Sequence, residues 1–265
     1  MKTELFAKQI RRKSLEMVNH ANASHVAGAL SIADVLAVLY NSIMNIDPEN
    51  PLMEERDYLI YSKGHTCVAL YAALALKGFY PVSDLDTYGK KGSPFISHVS
   101  SKIPGVEFST GSLGHGLPLA CGLALAFKRQ KKKNNVYCVV GDGEMDEGSN
   151  WEAMLFACQN GLDNLCLIVD VNKLQAMGKT VDILDLENIT AKFEAFGWIC
   201  RRIDGHNLAE IEKSLSLFST SSGKPFAVIC DTIKGKGVSF MEGELRYHYA
   251  PPTDTQLQEA LNELN

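Results

Sequence analysis

The sequence predicts an α/β domain built on an open, mostly parallel, doubly wound sheet with helices on both faces. Two continuously apolar segments, NVYCVV at 135–140 and LCLIVD at 165–170, have the composition of strands that are buried on both faces. Helical segments stand between such strands, and this alternation is typical of parallel βαβ units. No fixed-period repeat, low-complexity block or interdomain linker is present, so we predict one domain over residues 1–265.

The first part of the chain is predicted to be mainly helical. Apolar residues recur at helical spacing between Thr3 and about Met44, and the polar break at 21–25 predicts two helices. DYLIYS at 57–62 is rich in strand-forming residues, and the segment after it predicts a helix ended by Gly78. Residues 80–112 are rich in Gly, Pro and Ser, which predicts a long loop of the kind that often carries function.

The rest of the chain alternates between strands and helices. In order, we predict a helix from Leu113 to Lys133, a strand at 135–140, a turn at 141–150, a helix at 151–161, a strand at 165–170, a loop at 171–188, a helix at 189–197, a strand at 198–204, a helix at 208–218, a strand at 225–232 and a polar helical tail at 253–265.

Composition and charge exclude several classes of protein. The chain has 46% hydrophobic and 22% charged residues, close to the average of globular proteins. Its net charge of −5 argues against nucleic-acid binding, and the one dense basic run, 128–133, fits a solvated helix end. The seven cysteines are odd in number and lie mostly in apolar segments, which predicts reduced thiols. With no signal peptide, and with its longest apolar run only Leu117–Phe127, the chain is predicted to be cytoplasmic and not membrane-bound.

Two predicted strand ends carry the residues that a metal and phosphate site needs. Gly141 and Gly143 allow a sharp turn close to a ligand, and Asp142 between them offers a carboxylate. Asn172 follows the next strand and offers a neutral oxygen. Mg²⁺ takes oxygen ligands and lets phosphate oxygens complete its shell. Since ligands bind at the carboxyl ends of parallel strands, these residues predict a metal–diphosphate site.

The same arrangement, Gly-Asp-Gly on one strand end and Asn on the next, resembles the fingerprint of thiamine-diphosphate enzymes. Over essentially its full length, the chain resembles the N-terminal, diphosphate-binding half of transketolase, and specifically the small subunit of split transketolases. The blocks that carry the likeness are SHVAG (24–28), YSKGH (61–65), STGSLGHG (109–116), GDGEMDEGSNWEA (141–153), DVNKLQ (170–175), DGHN (204–207), TIKGKG (232–237) and YHYAPP (247–252).

The resemblance implies roles for the residues of these blocks. It implies that Asp142, Asn172 and the carbonyl of Leu174 bind Mg²⁺, Ca²⁺ or Mn²⁺, and that Gly143 packs on the diphosphate. Three further residues would hold the aminopyrimidine end of thiamine diphosphate through their backbone, namely Gly111, Ser112 and Leu113. Glu147 matches an acidic residue that the family places at the subunit interface near the cofactor.

Four histidines match positions that line the cofactor and substrate channel of transketolases: His25, His65, His98 and His248. Imidazole can exchange protons with sugar hydroxyls near neutral pH, and His65 and His248 are also expected to contact the cofactor. His115 and His206 are expected to be supporting or structural residues. Around His25 the family's usual Gly-His-Pro-Gly reads Ser-His-Val-Ala, and its usual Gly-His-Asp reads Gly-His-Asn at His206, so only the histidines are carried over.

The resemblance implies transfer of a two-carbon ketol unit from a ketose to an aldose phosphate or a related anionic sugar. In the family, a second domain supplies the glutamate that activates the cofactor, and this sequence stops at Asn265 without that domain. We therefore expect an α₂β₂ heterotetramer, formed with a C-terminal partner subunit.

Three other interpretations stay open from the sequence. The α subunit of a 2-oxo acid dehydrogenase shares the Gly-Asp-Gly and Asn site, but is usually longer and lacks this set of histidines. The 1-deoxyxylulose 5-phosphate synthases match in parts, as longer single chains. A non-catalytic cofactor-binding paralogue is the non-enzymatic alternative, and the intact Asp142, Asn172 and four channel histidines argue against it.

Overall fold

A computed structural model describes residues 1–218 and 223–265. Within them, one five-stranded sheet forms, entirely parallel, in the order β1-β2-β3-β5-β4. The strands are β1 Tyr58–Tyr61, β2 Val136–Gly141, β3 Leu165–Val171, β4 Ile199–Asp204 and β5 Phe226–Asp231. Each lies where the sequence predicts a strand. The register pairs Gly141 with Asp170, so the two predicted site-bearing strand ends are neighbours.

Helices cover the sheet. They are α1 Thr3–His20, α2 Val26–Ser31, α3 Ala33–Val38, α4 Cys67–Lys77, α5 Gly116–Arg129, α6 Gly148–Gln159, α7 Thr180–Ile183, α8 Ile189–Ala195, α9 Leu208–Phe218 and α10 Asp254–Glu263. Shorter turns of 3₁₀-helix occur at Gly64–Thr66, Val82–Thr87, Gly143–Asp146 and Leu245–His248, and a π-helical turn at Leu39–Ile43.

The prediction of two helices before residue 44 is wrong in its second part. The first helix and the polar break are as predicted, with Asn22 in a left-handed conformation just after α1. The second helix is instead divided at Ile32 into α2 and α3, and it ends in the π-helical turn. The residues of α2 and α3 are buried. We therefore attribute the break between the two helices to tertiary packing, which can override the local helix propensity of the sequence.

The turn and helix predicted around residue 148 also differ from the structure. Helix α6 begins at Gly148, three residues earlier than predicted, and the turn before it is partly 3₁₀-helical. Polar residues enter the first turn of α6 because their side chains have partners: Ser149 Oγ donates to the Gly114 carbonyl at 2.7 Å and Asn150 Nδ2 donates to the Glu144 carbonyl at 2.6 Å. Helix α5 ends at Arg129, within the basic run, and Lys128 pairs with Asp163 on the surface.

Two hydrophobic cores lie on opposite faces of the sheet, as the doubly wound prediction requires. Alternate residues of β2 point to different cores: Tyr137 and Val139 join the first, while Val136, Cys138 and Val140 join the second. Helices α1 to α4, α9 and α10 contribute to the first core, and α5, α6 and α8 to the second. The continuously apolar strands are thus explained by burial on both faces.

All seven cysteines are free thiols, and six of them are buried. Within the described residues, no helix combines the length and the apolar character that crossing a membrane requires.

Candidate functional site

A cavity of about 460 Å³ opens at the carboxyl edge of the four adjacent strands β1, β2, β3 and β5. Its walls come from the loops that follow these strands and from the segments around His25 and His248. The lining residues are His25, Gly28, Lys63, His65, His98, Gly111, Leu113, Gly141, Asp142, Gly143, Glu144, Asp146, Glu147, Asn172, Leu174, Gln175, Ala176, Met177, Ile183, Lys234 and His248. Of the predicted site residues, only the exposed Ser112 is missing from this lining.

The four predicted channel histidines come together in the lining of this cavity. The ring centre of His25 lies 5.3 Å from that of His65, 6.4 Å from that of His98 and 4.7 Å from that of His248. These residues lie on four separate segments, so only the tertiary fold brings them into contact. The structure thus brings these four side chains together, and their role in a substrate channel stays a prediction.

His25 has an unusual backbone that its neighbours stabilise. Its φ is +71°, a left-handed conformation that residues with a Cβ rarely adopt. Its N–H donates to the carbonyl of His248 at 2.9 Å. Its buried Nδ1 has no hydrogen-bond partner among the described residues. A strained backbone that holds an unsatisfied ring nitrogen in a cavity is typical of a ligand-binding position.

The environment keeps three of these imidazoles neutral. Burial, followed by the charges of His98 and Lys234, lowers the pKa of His25 to about 4. Burial and then Lys234 lower the pKa of His248 to about 3. Burial and the charge of Lys63 lower the pKa of His65 well below its ordinary value. A neutral imidazole carries one donor and one acceptor, which suits hydrogen bonding to sugar hydroxyls.

The predicted metal and phosphate residues line the same cavity, and Lys234 lies between the Leu174 carbonyl and His248. Asp142 is 8% exposed; its Oδ1 accepts from the Gly143 N–H at 2.9 Å and its Oδ2 accepts from the Lys173 N–H at 2.6 Å. Burial, and then the charge of Asp170, raise the pKa of Asp142 to about 6. Asn172 stands on the neighbouring strand end, where its Oδ1 accepts from the Leu174 N–H at 3.2 Å.

These donors suit a hard divalent cation. Among the described residues, no three His, Cys, Asp or Glu side chains converge as a metal site. One carboxylate, one amide oxygen and one backbone carbonyl, with room in the cavity for phosphate oxygens, is instead the type of oxygen set that Mg²⁺ accepts. The residues present therefore fit a metal–diphosphate pair, because Asp142 is an under-compensated buried carboxylate beside open space.

Charged residues that the sequence analysis missed lie beneath this site. Lys63, 2% exposed, follows β1 and pairs with Asp170, which is fully buried at the end of β3. Burial alone would raise the pKa of Asp170. The charge of Lys63, together with the hydrogen bonds that Asp170 accepts, instead holds that pKa below its ordinary value. One signal was available in the sequence, since Asp170 is the single charge in an otherwise apolar strand.

Lys234 is the second missed cation. It is 3% exposed, and its Nζ donates to the Leu174 carbonyl at 2.8 Å and lies 3.1 Å from His248 Nδ1. Burial, then the charge of Lys63, lowers the pKa of Lys234 to about 8. Lys63 and Lys234 are the two lysines of the cavity lining. Within the described residues, Lys234 has no carboxylate among its hydrogen-bond partners, so it is the cation better placed to meet an anionic ligand.

The loop from Gly111 to Leu113 forms another wall. The φ of Gly111 is +146°, and a Cβ added there would lie 2.6 Å from Cδ2 of His98, so glycine is required at this position. The buried Glu144 secures the loop, because one of its carboxylate oxygens accepts from the Gly114 N–H at 3.0 Å and from the Ser62 hydroxyl. Burial raises the pKa of Glu144. Glu147 is exposed at the cavity mouth.

The two histidines that were expected to be supporting residues, His115 and His206, lie outside the cavity lining. His115 precedes α5 and is exposed. His206 Nδ1 lies 2.8 Å from Asp34 Oδ2, and its Nε2 accepts from the Ile233 N–H at 2.8 Å. Arg11 binds the same Asp34 with two hydrogen bonds. His206 thus joins helices α1 and α3 to the loop that carries Lys234, in keeping with the expected structural role.

Comparison with known proteins identifies relatives along the whole chain. The family described as "Transketolase, thiamine diphosphate binding domain" matches residues 2–264. The 6-deoxy-6-sulfo-D-fructose transketolase subunit SqwG of Clostridium sp. (strain MSTE9) is 45% identical over 259 residues, 97% of this chain and 94% of that protein. A subunit of the apulose-4-phosphate transketolase of Phocaeicola vulgatus is 39% identical over 262 residues, 99% of this chain and 93% of that protein.

Solved structures show the same fold. Transketolase from Campylobacter jejuni superimposes with a TM-score of 0.93 at 32% identity, and the match covers 100% of this chain but 43% of that one. The chain therefore spans about two fifths of the length of a single-chain relative, and nearly the whole length of relatives named as subunits.

Proposed function

This chain belongs to the family of transketolase thiamine-diphosphate-binding domains, and from that premise we propose that it is the N-terminal subunit of a split transketolase. In this proposal it binds thiamine diphosphate and a divalent cation, and with a C-terminal partner subunit it transfers a two-carbon ketol unit. The observation that carries the proposal is one cavity whose lining includes the cluster of neutral histidines together with Asp142 and Asn172.

Asp142, Asn172 and the Leu174 carbonyl would bind Mg²⁺, Ca²⁺ or Mn²⁺, and Gly143 would pack on the diphosphate. Two features support this placement: Asp142 lacks a full counter-charge, and both Lys63 and Lys234 face the cavity. Thiamine diphosphate would supply the nucleophilic carbon that accepts the ketol unit, a chemistry that no side chain of this chain provides.

The loop of Gly111, Ser112 and Leu113 would hold the aminopyrimidine end through its backbone. The glycine approaches the ring of His98 so closely that no side chain fits between them. We propose that the loop determines the depth of the cofactor in the cavity, and that Glu144 keeps the loop in place through Gly114.

His25, His65, His98 and His248 would bind and orient the sugar, and exchange protons with its hydroxyls. His65 and His248 also approach the part of the cavity near Lys63 and Lys234, where the cofactor would lie. The low pKa values of His25 and His248 keep these rings neutral at neutral pH, so each offers one donor and one acceptor to the sugar hydroxyls.

The partner subunit would close the open side of the cavity. Relatives named as subunits match this chain over nearly their whole length, whereas the Campylobacter jejuni transketolase extends well beyond it. Glu147 is exposed at the cavity mouth, where a second chain could reach it. We propose that the partner supplies the cofactor-activating glutamate and that the assembly is an α₂β₂ heterotetramer.

The proposed substrates are sugars with an anionic end. One relative is named for a sulfonated ketose and another for a branched-sugar phosphate. Transfer from such a ketose to an aldose phosphate, or to a related anionic aldose, is the reaction that we propose.

The test is reconstitution. The purified chain, thiamine diphosphate and Mg²⁺ are assayed for ketol transfer with and without a C-terminal transketolase subunit, using phosphorylated, sulfonated and unmodified ketoses as donors. We expect turnover only in the mixture and only with anionic sugars. Full turnover by this chain alone would refute the need for a partner, and activity with 2-oxo acids in place of ketoses would refute transketolase activity.

A further inference from the structure

Asp170 is a fully buried carboxylate that four donors surround. Its Oδ2 accepts from the Ser31 hydroxyl at 2.6 Å, from the ammonium of Lys63 and from Asn172 Nδ2 at 3.3 Å. Its Oδ1 accepts from the hydroxyl of Thr232. Asp170 thereby joins α2, the loop after β1 and the ends of β3 and β5 directly beneath the cavity.

The contact between Asp170 and Asn172 determines the orientation of the Asn172 side-chain amide, whose NH₂ group faces Asp170 and whose oxygen faces Leu174. An ionised carboxylate can only accept hydrogen bonds, so it selects the NH₂ end of the amide. The oxygen end then lies on the other side, where it accepts from the Leu174 N–H at 3.2 Å and keeps a second lone pair. Rotation of the amide by 180° would place oxygen against oxygen at Asp170 and NH₂ against N–H at Leu174.

We propose that Asp170 is a positioning residue, which acts through Asn172 by fixing the amide so that its oxygen is available to the divalent cation. This inference rests on the proposed function, in which Asn172 is a metal ligand. Lys63 allows the arrangement, because its ammonium compensates a carboxylate that is otherwise costly to bury. Residues that orient metal ligands typically change metal affinity by about 10–100-fold when they are replaced.

The test must separate orientation from stability, because replacing Asp170 alone leaves Lys63 buried without a counter-charge. The double variant Lys63→Met/Asp170→Leu replaces the ion pair with apolar side chains, a change that proteins often tolerate. Lys63→Met alone removes the cation but leaves Asp170 beside Asn172 with its Ser31 and Thr232 donors, so it measures what the loss of the ammonium contributes by itself. Ser31→Ala removes another donor to Asp170, while Asn172 keeps its contact. Asn172→Ala tests the metal site itself.

The measurement is Mn²⁺ binding by electron paramagnetic resonance in the presence of thiamine diphosphate, with the full chain alone and with its partner subunit. Urea unfolding of each variant verifies its fold. We expect the half-saturating Mn²⁺ concentration to rise at least tenfold from Lys63→Met to the double variant, and to stay within about twofold of wild type in Ser31→Ala. If the double variant binds Mn²⁺ with the same affinity as Lys63→Met, while Asn172→Ala binds it weakly, the inference about Asp170 fails but the proposed metal site stands. If Asn172→Ala binds as wild type does, the proposed metal site falls as well.

Discussion

Replacement of Gly111 by alanine should disable the cofactor loop without unfolding the chain. The new Cβ would lie 2.6 Å from Cδ2 of His98, whereas carbon atoms in contact are about 3.5–4.0 Å apart. The loop or the ring must therefore move by about 1 Å, and a displacement of that size in an active site can cost about 100-fold in rate. The φ of +146° adds backbone strain of about 1–3 kcal/mol.

Gly178→Ala is the matched control. Gly178 has a φ of +152°, and no described atom lies within 4 Å of its added Cβ, so this variant pays the backbone strain without the clash. Urea unfolding should show a loss of about 1–3 kcal/mol for Gly178→Ala, from backbone strain alone, and a somewhat larger loss for Gly111→Ala, which adds the clash. Ketol transfer by the mixed complex should fall about 100-fold in Gly111→Ala and only slightly in Gly178→Ala. Equal activities of the two variants would refute the reasoning about the loop and His98.

Three further predictions concern the metal site, a buried ion pair and pH. Asp142→Ala should abolish metal-dependent binding of thiamine diphosphate in calorimetry while leaving the fold largely intact. Asp34→Ala leaves Arg11 buried without its partner and should lower the free energy of unfolding by about 3–5 kcal/mol, measured in urea. The folded-state pKa of His25 is about 4, below the ordinary 6.5, so the unfolded chain binds that proton first. Stability present above pH 6.5 should therefore be lost as the pH falls towards about 4, and His25→Gln should lose less.

Each of these predictions has its own control. Unchanged calorimetric affinity would remove Asp142 from the site. Lys128→Ala breaks a half-exposed pair with Asp163 and should cost about 1 kcal/mol or less, so a similar cost for Asp34→Ala would contradict the value placed on burial. For His25, urea midpoints of wild type and His25→Gln are compared at several pH values. Parallel curves would mean that His25 does not titrate differently in the folded protein.

The sequence was sufficient to predict the sheet, because its strands are apolar on both faces and stand out between helices. Asp142, Asn172 and the four histidines lie in recognisable blocks of the sequence, and the structure places all of them in the lining of one cavity. The sequence could not identify Lys63 and Lys234 as cavity cations. A lysine in a loop is normally solvated, and only the tertiary fold shows that these two are buried beside carboxylates and carbonyls.

The sequence pattern also could not predict that the second helix is divided at Ile32. Residues 26–38 have good helical periodicity, and the break reflects packing against the rest of the first core. Likewise, the early start of α6 depends on Ser149 and Asn150 finding backbone acceptors that are not adjacent in sequence. Local preferences predict which elements exist, whereas distant partners determine where they begin and end.

The hydrogen bond from the His25 N–H to the His248 carbonyl has a consequence for folding during synthesis. The two residues are separated by most of the chain, so a ribosome-bound chain that has not yet extended past residue 248 lacks the partner that stabilises the left-handed His25. Strands β1 to β3 can pair much earlier. The histidine cluster should therefore assemble after these strands have paired, because contacts between distant segments form slowly. In a nascent chain, the sheet would begin to form before the four histidines can meet.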